Sequence, residues 1–227
     1  MPSSARNFFA ELVGTFALVF VGGGAIMMAQ HTNSSAGLLS VAIAHGLALG
    51  LMVSATMQVS GGQLNPAISI GLMLTRRLPP VLGAIHIVAQ LVGAALAAWT
   101  LKATFPAALV QASHAGGQAV ALDVTTGHAI VLEAIATFFL MFVIYGTAVT
   151  GKAPRLAGLA IGLTIAADIL AIGPLTGASM NPARSFGPAL VSGVWEGHMI
   201  YWIGPIVGAA VAALLWEYVL IDKHAAT

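Results

Sequence analysis

Asn65-Pro66-Ala67 and Asn181-Pro182-Ala183 are the same tripeptide, set inside two apolar stretches of one 227-residue chain. They lie 181 − 65 = 116 residues apart, close to half the length, so the chain reads as a tandem duplication. Each tripeptide has the chemistry of a helix start. Asn is a favoured N-cap, and Pro suits the first helical position, where its missing N–H is not needed. A helix that begins in mid-membrane turns its free N–H groups and positive dipole end toward whatever lies there. Two such starts facing each other make a polar, cation-repelling centre, which suits a path for neutral solutes.

Composition places these boxes in a bilayer. Hydrophobic residues make up 59% of the chain, charged residues 7%, and the mean hydropathy is +0.96. Soluble domains carry about 25% charged residues, so no water-exposed surface can be built from this sequence. A net charge of +1 gives no case for a nucleic-acid partner. Zero cysteines exclude disulfides, thiol catalysis and zinc-thiolate sites. The first apolar run, about 21 residues, is too long for a signal-peptide core and reads as a retained span.

Six long apolar segments stand out, at roughly 8–28, 37–58, 81–103, 128–149, 156–173 and 198–221. Two shorter ones, about 65–75 and 181–191, follow the boxes. Eleven helical residues rise about 16 Å, so two pieces end to end cross the roughly 30 Å hydrocarbon core and neither crosses alone. The predicted fold is therefore an all-α membrane protein of six transmembrane helices and two re-entrant half-helices. It forms one channel domain over 1–227, with repeats at about 8–103 and 128–221 of opposite orientation. Arg6, Arg76, Arg77, Lys152, Arg155 and Lys223 fall on one side if the chain ends are cytoplasmic, in keeping with the positive-inside rule. Lys102 and Arg184 are the exceptions.

Further echoes support the duplication. Glu11-Leu12-Val13-Gly14-Thr15-Phe16 parallels Glu133-Ala134-Ile135-Ala136-Thr137-Phe138. Gly46/Gly50, Gly158/Gly162 and Gly204/Gly208 are small-xxx-small pairs that let helices approach closely. Glu11 and Glu133 are intramembrane carboxylates at matching points, too costly to leave unpaired. Arg184 lies three residues into the second half-helix and must line water or be tied to backbone carbonyls.

The segments Ser60-Gly61-Gly62-Gln63-Leu64-Asn65-Pro66-Ala67 and Gly177-Ala178-Ser179-Met180-Asn181-Pro182-Ala183-Arg184-Ser185-Phe186-Gly187 resemble the paired boxes of the aquaporin (major intrinsic protein) family. Ala44-His45-Gly46 and Ile169-Leu170-Ala171-Ile172-Gly173-Pro174 resemble its tonoplast-intrinsic branch. The resemblance implies a homotetramer with one pore per subunit and no cofactor. It implies water and small neutral solutes as the partners. It assigns His45, Ile169, Ala178 and Arg184 to a selectivity constriction, and Glu11 and Glu133 to bracing the half-helix loops. Strict water channels of the family more often carry an aromatic at the first of these positions and His at the second. The set here makes a wider, less polar wall, from which passage of ammonia is expected. His114 resembles an outer-loop His that reaches over the constriction and takes a proton from ammonium; the alternative is a solvent-exposed loop His. Asp168 departs from the branch, which has Asn there. A bacterial inner membrane is expected from the short chain ends. A secondary transporter is the rival, since it also uses broken helices and inverted repeats; the scarcity of intramembrane acids speaks against it.

Overall fold

A computed structural model describes residues 3–150 and 156–221. Lys152, Arg155, Lys223 and His224 lie outside these residues. The described chain contains helices α1 (Ser3–Thr32), α2 (Gly37–Ser60), α3 (Pro66–Leu74), α4 (Pro80–Thr104) and α5 (Ala107–Ala112). A single 3-10 turn, His114–Gly116, precedes α6 (Thr126–Ile144), α7 (Ala157–Thr176), α8 (Pro182–Ser192) and α9 (Ile200–Leu215). Both α6 and α9 run on through one wider π-turn, Tyr145–Val149 and Trp216–Leu220.

Six of these helices are long and apolar enough to cross a membrane: α1, α2, α4, α6 with its π-turn, α7 and α9 with its π-turn. Large apolar side chains such as Leu51, Val81, Trp99, Leu163 and Val207 stand exposed around the bundle. A water-soluble protein does not display such a belt; a membrane protein meets lipid with it. The six sequence-derived spans therefore all appear, most of them lengthened by a few residues at their ends.

The halves interlock. Helix α1 packs on α2 and α4, and α6 packs on α7 and α9 in the same pattern. Across the halves α2 meets α7, the half-helix α3 leans on α9, and α8 leans on α4. Each short helix is thus clamped by a full span of the other half. The α2–α7 crossing depends on small residues. A Cβ added at Gly46 would stand 2.6 Å from the Gly162 carbonyl oxygen, and one at Gly50 would stand 2.8 Å from that of Gly158. In lipid, packing of this kind replaces the hydrophobic drive that associates helices in water.

The half-helices end by different devices. In α3, Thr75 closes the last turn and Arg76 takes φ 61, while Arg77 N–H returns to the Leu72 carbonyl at 2.9 Å. In α8, Gly193 in the left-handed region (φ 78) donates to the Ala189 carbonyl. Just past α3, Arg77 pairs with Glu217 through Nε (2.8 Å) and Nη2 (3.2 Å), and this carboxylate raises the arginine pKa further. The pair is partly exposed, so Arg77→Ala is expected to cost no more than about 1 kcal/mol. Thermal unfolding in detergent would measure this, and a multi-degree collapse would show that the pair matters more than its exposure allows.

Candidate functional site

The site begins at the two Asn residues. Asn65 is the extended N-cap of α3, its Oδ1 accepting from Ala67 N–H at 2.9 Å, with Pro66 in the first turn. Asn181 caps α8 likewise, accepting from Ala183 N–H (3.0 Å) and Arg184 N–H (3.3 Å), with Pro182 in the first turn. Each amide also donates across to the other box. Asn65 Nδ2 reaches the Met180 carbonyl at 2.7 Å, and Asn181 Nδ2 reaches that of Leu64 at 2.9 Å. The two helix N-termini therefore abut. An amide has two N–H donors, so each Asn keeps one after its cross-bond, and both residues line the same central cavity.

The loops leading into the boxes share one backbone shape. Gly61, Gly62 and Leu64 have φ 91, 63 and 52; Gly177, Ala178 and Met180 have φ 82, 44 and 53. Non-glycine residues occupy this left-handed region only where the surroundings hold them. A glutamate does so in each half. Glu11 accepts from Ser60 Oγ (2.6 Å), Gln63 N–H (3.1 Å), Leu64 N–H (2.7 Å) and Gln90 Nε2 (2.7 Å). Glu133 accepts from Thr176 Oγ1 (2.7 Å), Ser179 N–H (2.9 Å) and Met180 N–H (2.7 Å). Both carboxylates are fully buried.

Arg184 is held from three sides in the first turn of α8. Its Nε donates to His45 Nε2 at 3.0 Å and its Nη1 to the Gly116 carbonyl at 2.9 Å. Gln118, oriented with its amide oxygen toward the guanidinium, accepts from Nη2 (3.0 Å) and Nε (3.1 Å) and donates to Ser185 Oγ (3.0 Å). His45 Nδ1 faces the Val41 carbonyl at 2.8 Å. A carbonyl only accepts and an arginine only donates, which fixes the imidazole tautomer: Nδ1 carries the proton and Nε2 takes the arginine bond. Both ring nitrogens are thereby occupied, leaving the ring to face the cavity with carbon.

His45, Ile169, Ala178 and Arg184 lie together in the wall of a narrow central cavity, along with both Asn residues and aliphatic side chains such as Leu49, Ile68 and Ile165. One vestibule of about 920 Å³ shares Gly62, Gln63, Ile68, Ile144 and Ile161 with this cavity. Another, about 1010 Å³, shares Ile169 and is bordered by Gln118 and Gly177. The shared residues set the three spaces next to one another along the bundle.

One sequence expectation needs correction. His114 does not reach over the constriction. It is exposed, with φ 48, and borders an outer cavity with Gln118, Ser185 and His198, outside the wall that holds Arg184. The turn that carries it brings Gly116 and Gln118 to Arg184 instead, two partners that no motif or periodicity announces. His86 in α4 is fully buried, and its Nδ1 donates to Gln63 Oε1 at 2.5 Å. Asp168 is 8% exposed, lines none of the three spaces, and its Oδ2 has no hydrogen-bond partner.

Comparison with known proteins agrees with this arrangement. The family model described as major intrinsic protein matches residues 1–216. Probable aquaporin TIP3-2 of Arabidopsis thaliana is 43% identical, covering 98% of this chain and 86% of the relative. Probable aquaporin TIP-type alpha of Phaseolus vulgaris is 42% identical, covering 97% and 87%. Among solved structures, the aquaglyceroporin from Plasmodium falciparum superposes with a TM-score of 0.85 at 26% identity, over 96% of this chain and 97% of that one. Two abutting Asn-capped half-helices in a six-span bundle, and relatives that extend over nearly the whole sequence, lead to one conclusion: the chain belongs to the major intrinsic protein family.

Proposed function

We propose that this chain is a passive transmembrane channel that passes water and ammonia and excludes protons and cations. One observation carries the reading: the path runs between two helix N-termini, each offering a spare Asn N–H at the same level. A water there receives hydrogen bonds from Asn65 and Asn181 on its oxygen. It cannot then hold both neighbours in a continuous proton wire. The two dipole ends, each equivalent to about half a positive charge, repel cations at that point.

His45, Ile169, Ala178 and Arg184 form the selectivity constriction in this reading. The imidazole spends both nitrogens on Val41 and Arg184, so the wall is apolar apart from the guanidinium. Such a wall penalises loss of hydration less for ammonia, a weakly hydrated neutral solute, than for an ion. Glu11 and Glu133 brace the loops that present Ala178 and the two Asn residues.

The channel works as a homotetramer with one pore per subunit, as the family resemblance implies; the cavity lined by both Asn residues lies within a single chain. Its ends face the cytoplasm, a side assigned by the positive-inside rule from Arg6, Arg76 and Arg77. The plant relatives lean against a bacterial inner membrane.

Stopped-flow light scattering on reconstituted vesicles tests the reading. Osmotic shrinkage is expected to be fast, non-saturating and weakly temperature-dependent, and an ammonium gradient is expected to alkalinise the lumen faster than in protein-free vesicles. Ammonia entry no faster than in protein-free vesicles overturns the ammonia assignment; saturable, gradient-driven flux overturns the channel.

A further inference from the structure

His45 owes its position to an absence on the neighbouring helix. Gly22 of α1 is buried against the imidazole. A Cβ built there would lie 2.5 Å from His45 Cδ2 and 2.7 Å from Cε1, with Nε2 in still closer conflict. Carbon atoms in contact keep about 3.5 to 4.0 Å apart, so even a methyl group requires the ring to move. The ring has little freedom to move, because Val41 holds one nitrogen at 2.8 Å and Arg184 the other at 3.0 Å. Gly22 is not itself in the cavity wall, whereas His45 is. A ring pushed off α1 therefore either enters the path or releases Arg184.

The next residue behaves differently. A Cβ at Gly23 meets Leu101 Cδ1 at 2.7 Å, the far end of a flexible side chain. Its backbone neighbours, Ala115 O and Gly116 Cα, stand at 3.6 Å, an ordinary contact. Two glycines adjacent on the same helix thus differ in what a methyl group would disturb.

We propose that Gly22 is a specificity-determining positioning residue: the space left by its missing side chain seats the His45 ring, and that seating sets both the width of the constriction and the placement of Arg184. The proposal rests on the constriction assigned above. It differs from that assignment in putting part of the control on a residue that no solute touches.

The test compares Gly22→Ala, Gly23→Ala, His45→Ala and the Gly22→Ala/His45→Ala double variant in vesicles, with fluxes normalised to incorporated protein. Gly22→Ala is expected to lower water permeability severalfold and to shift the ammonia-to-water ratio. Gly23→Ala is expected to keep both values, and His45→Ala to shift the ratio on its own. Adding Gly22→Ala to His45→Ala is expected to change nothing further, because the clashing ring is gone. A normal ratio in Gly22→Ala, together with a shifted one in His45→Ala, overturns the proposal and leaves the constriction intact. An unchanged ratio in His45→Ala overturns the constriction itself. If Gly22→Ala does not assemble, recovery of the protein in the double variant supports the proposal. Failure of the double variant as well overturns it, since the conflict would then lie with something other than His45.

Discussion

Arg184→Val is expected to turn a cation-excluding path into one that leaks ions, with the bundle still folded. The guanidinium is the one fixed charge in the cavity wall, and a permeating cation must pass within a few ångströms of it. At 4 Å and an effective dielectric of 20, two unit charges repel by about 4 kcal/mol, roughly a thousandfold in passage rate. Valine removes that barrier and also widens the wall opposite Ile169 and Ala178. The cost to folding is modest. His45 Nε2, the Gly116 carbonyl and the Gln118 amide oxygen lose a donor; His45 and Gln118 line the cavities, where water can replace it, and the Gly116 carbonyl is the group left to find a new partner. Bilayer current and vesicle assays for glycerol-sized solutes would read the change. Selectivity identical to that of the unmodified chain would remove Arg184 from its assigned role.

The barrier at the two Asn residues is untouched by that substitution, so protons and larger ions should respond differently. Cation leak should rise most at the constriction, while proton conduction should stay limited where Asn65 and Asn181 orient the water. The two devices are separate in sequence and in space. Their separability is a consequence of helix geometry: Arg184 is three residues past Asn181, about one turn deeper into α8.

Much of this architecture was legible from residue order because local chemistry dictates it. Apolar runs of more than twenty residues have no stable home outside a bilayer, and Asn-Pro in such a run is a helix start whatever surrounds it. Glu11, Glu133 and Arg184 announced themselves by charge, since lipid leaves a charge no option but a partner or water. What remained hidden depends on tertiary approach. The His45–Arg184 bond joins residues 139 apart and requires α2 and α8 to meet. Gln118 reaches Arg184 only because His114 and Ala115 both adopt positive φ, a conformation that their sequence does not favour. The same local bend carries His114 away from the path. The space behind His45 is recorded only as a glycine in a run of three, Gly22-Gly23-Gly24, which by sequence alone is simply a close-packing surface.

Removing the Glu133 carboxylate should damage the fold heavily at the second half-helix. Glu133→Ala strands the Thr176 hydroxyl and the Ser179 and Met180 N–H groups in a buried site. Each unsatisfied buried group costs about 1–3 kcal/mol, so the total is several kcal/mol, a large share of typical membrane-protein or soluble stability. Backbone strain then pulls the unbraced loop out of shape. Ala178 and Met180 hold positive φ at roughly 1–2 kcal/mol per residue, and the carboxylate is what fixes them there. Without it the loop relaxes, α8 loses its entry angle, and Asn181 and Arg184 leave the path. Glu11→Ala should be milder in this respect, because two of the three left-handed residues in its loop are Gly61 and Gly62, which adopt that conformation without strain. Glu133→Gln should fall between wild type and alanine: its amide oxygen can still accept, but its NH₂ faces donors. Thermal unfolding in detergent, paired with water permeability per incorporated protein, should therefore rank wild type, Glu133→Gln and Glu133→Ala in descending order. Equal stability for Glu133→Ala and wild type would mean that the loop holds its own shape, and that the buried carboxylate serves something other than the brace.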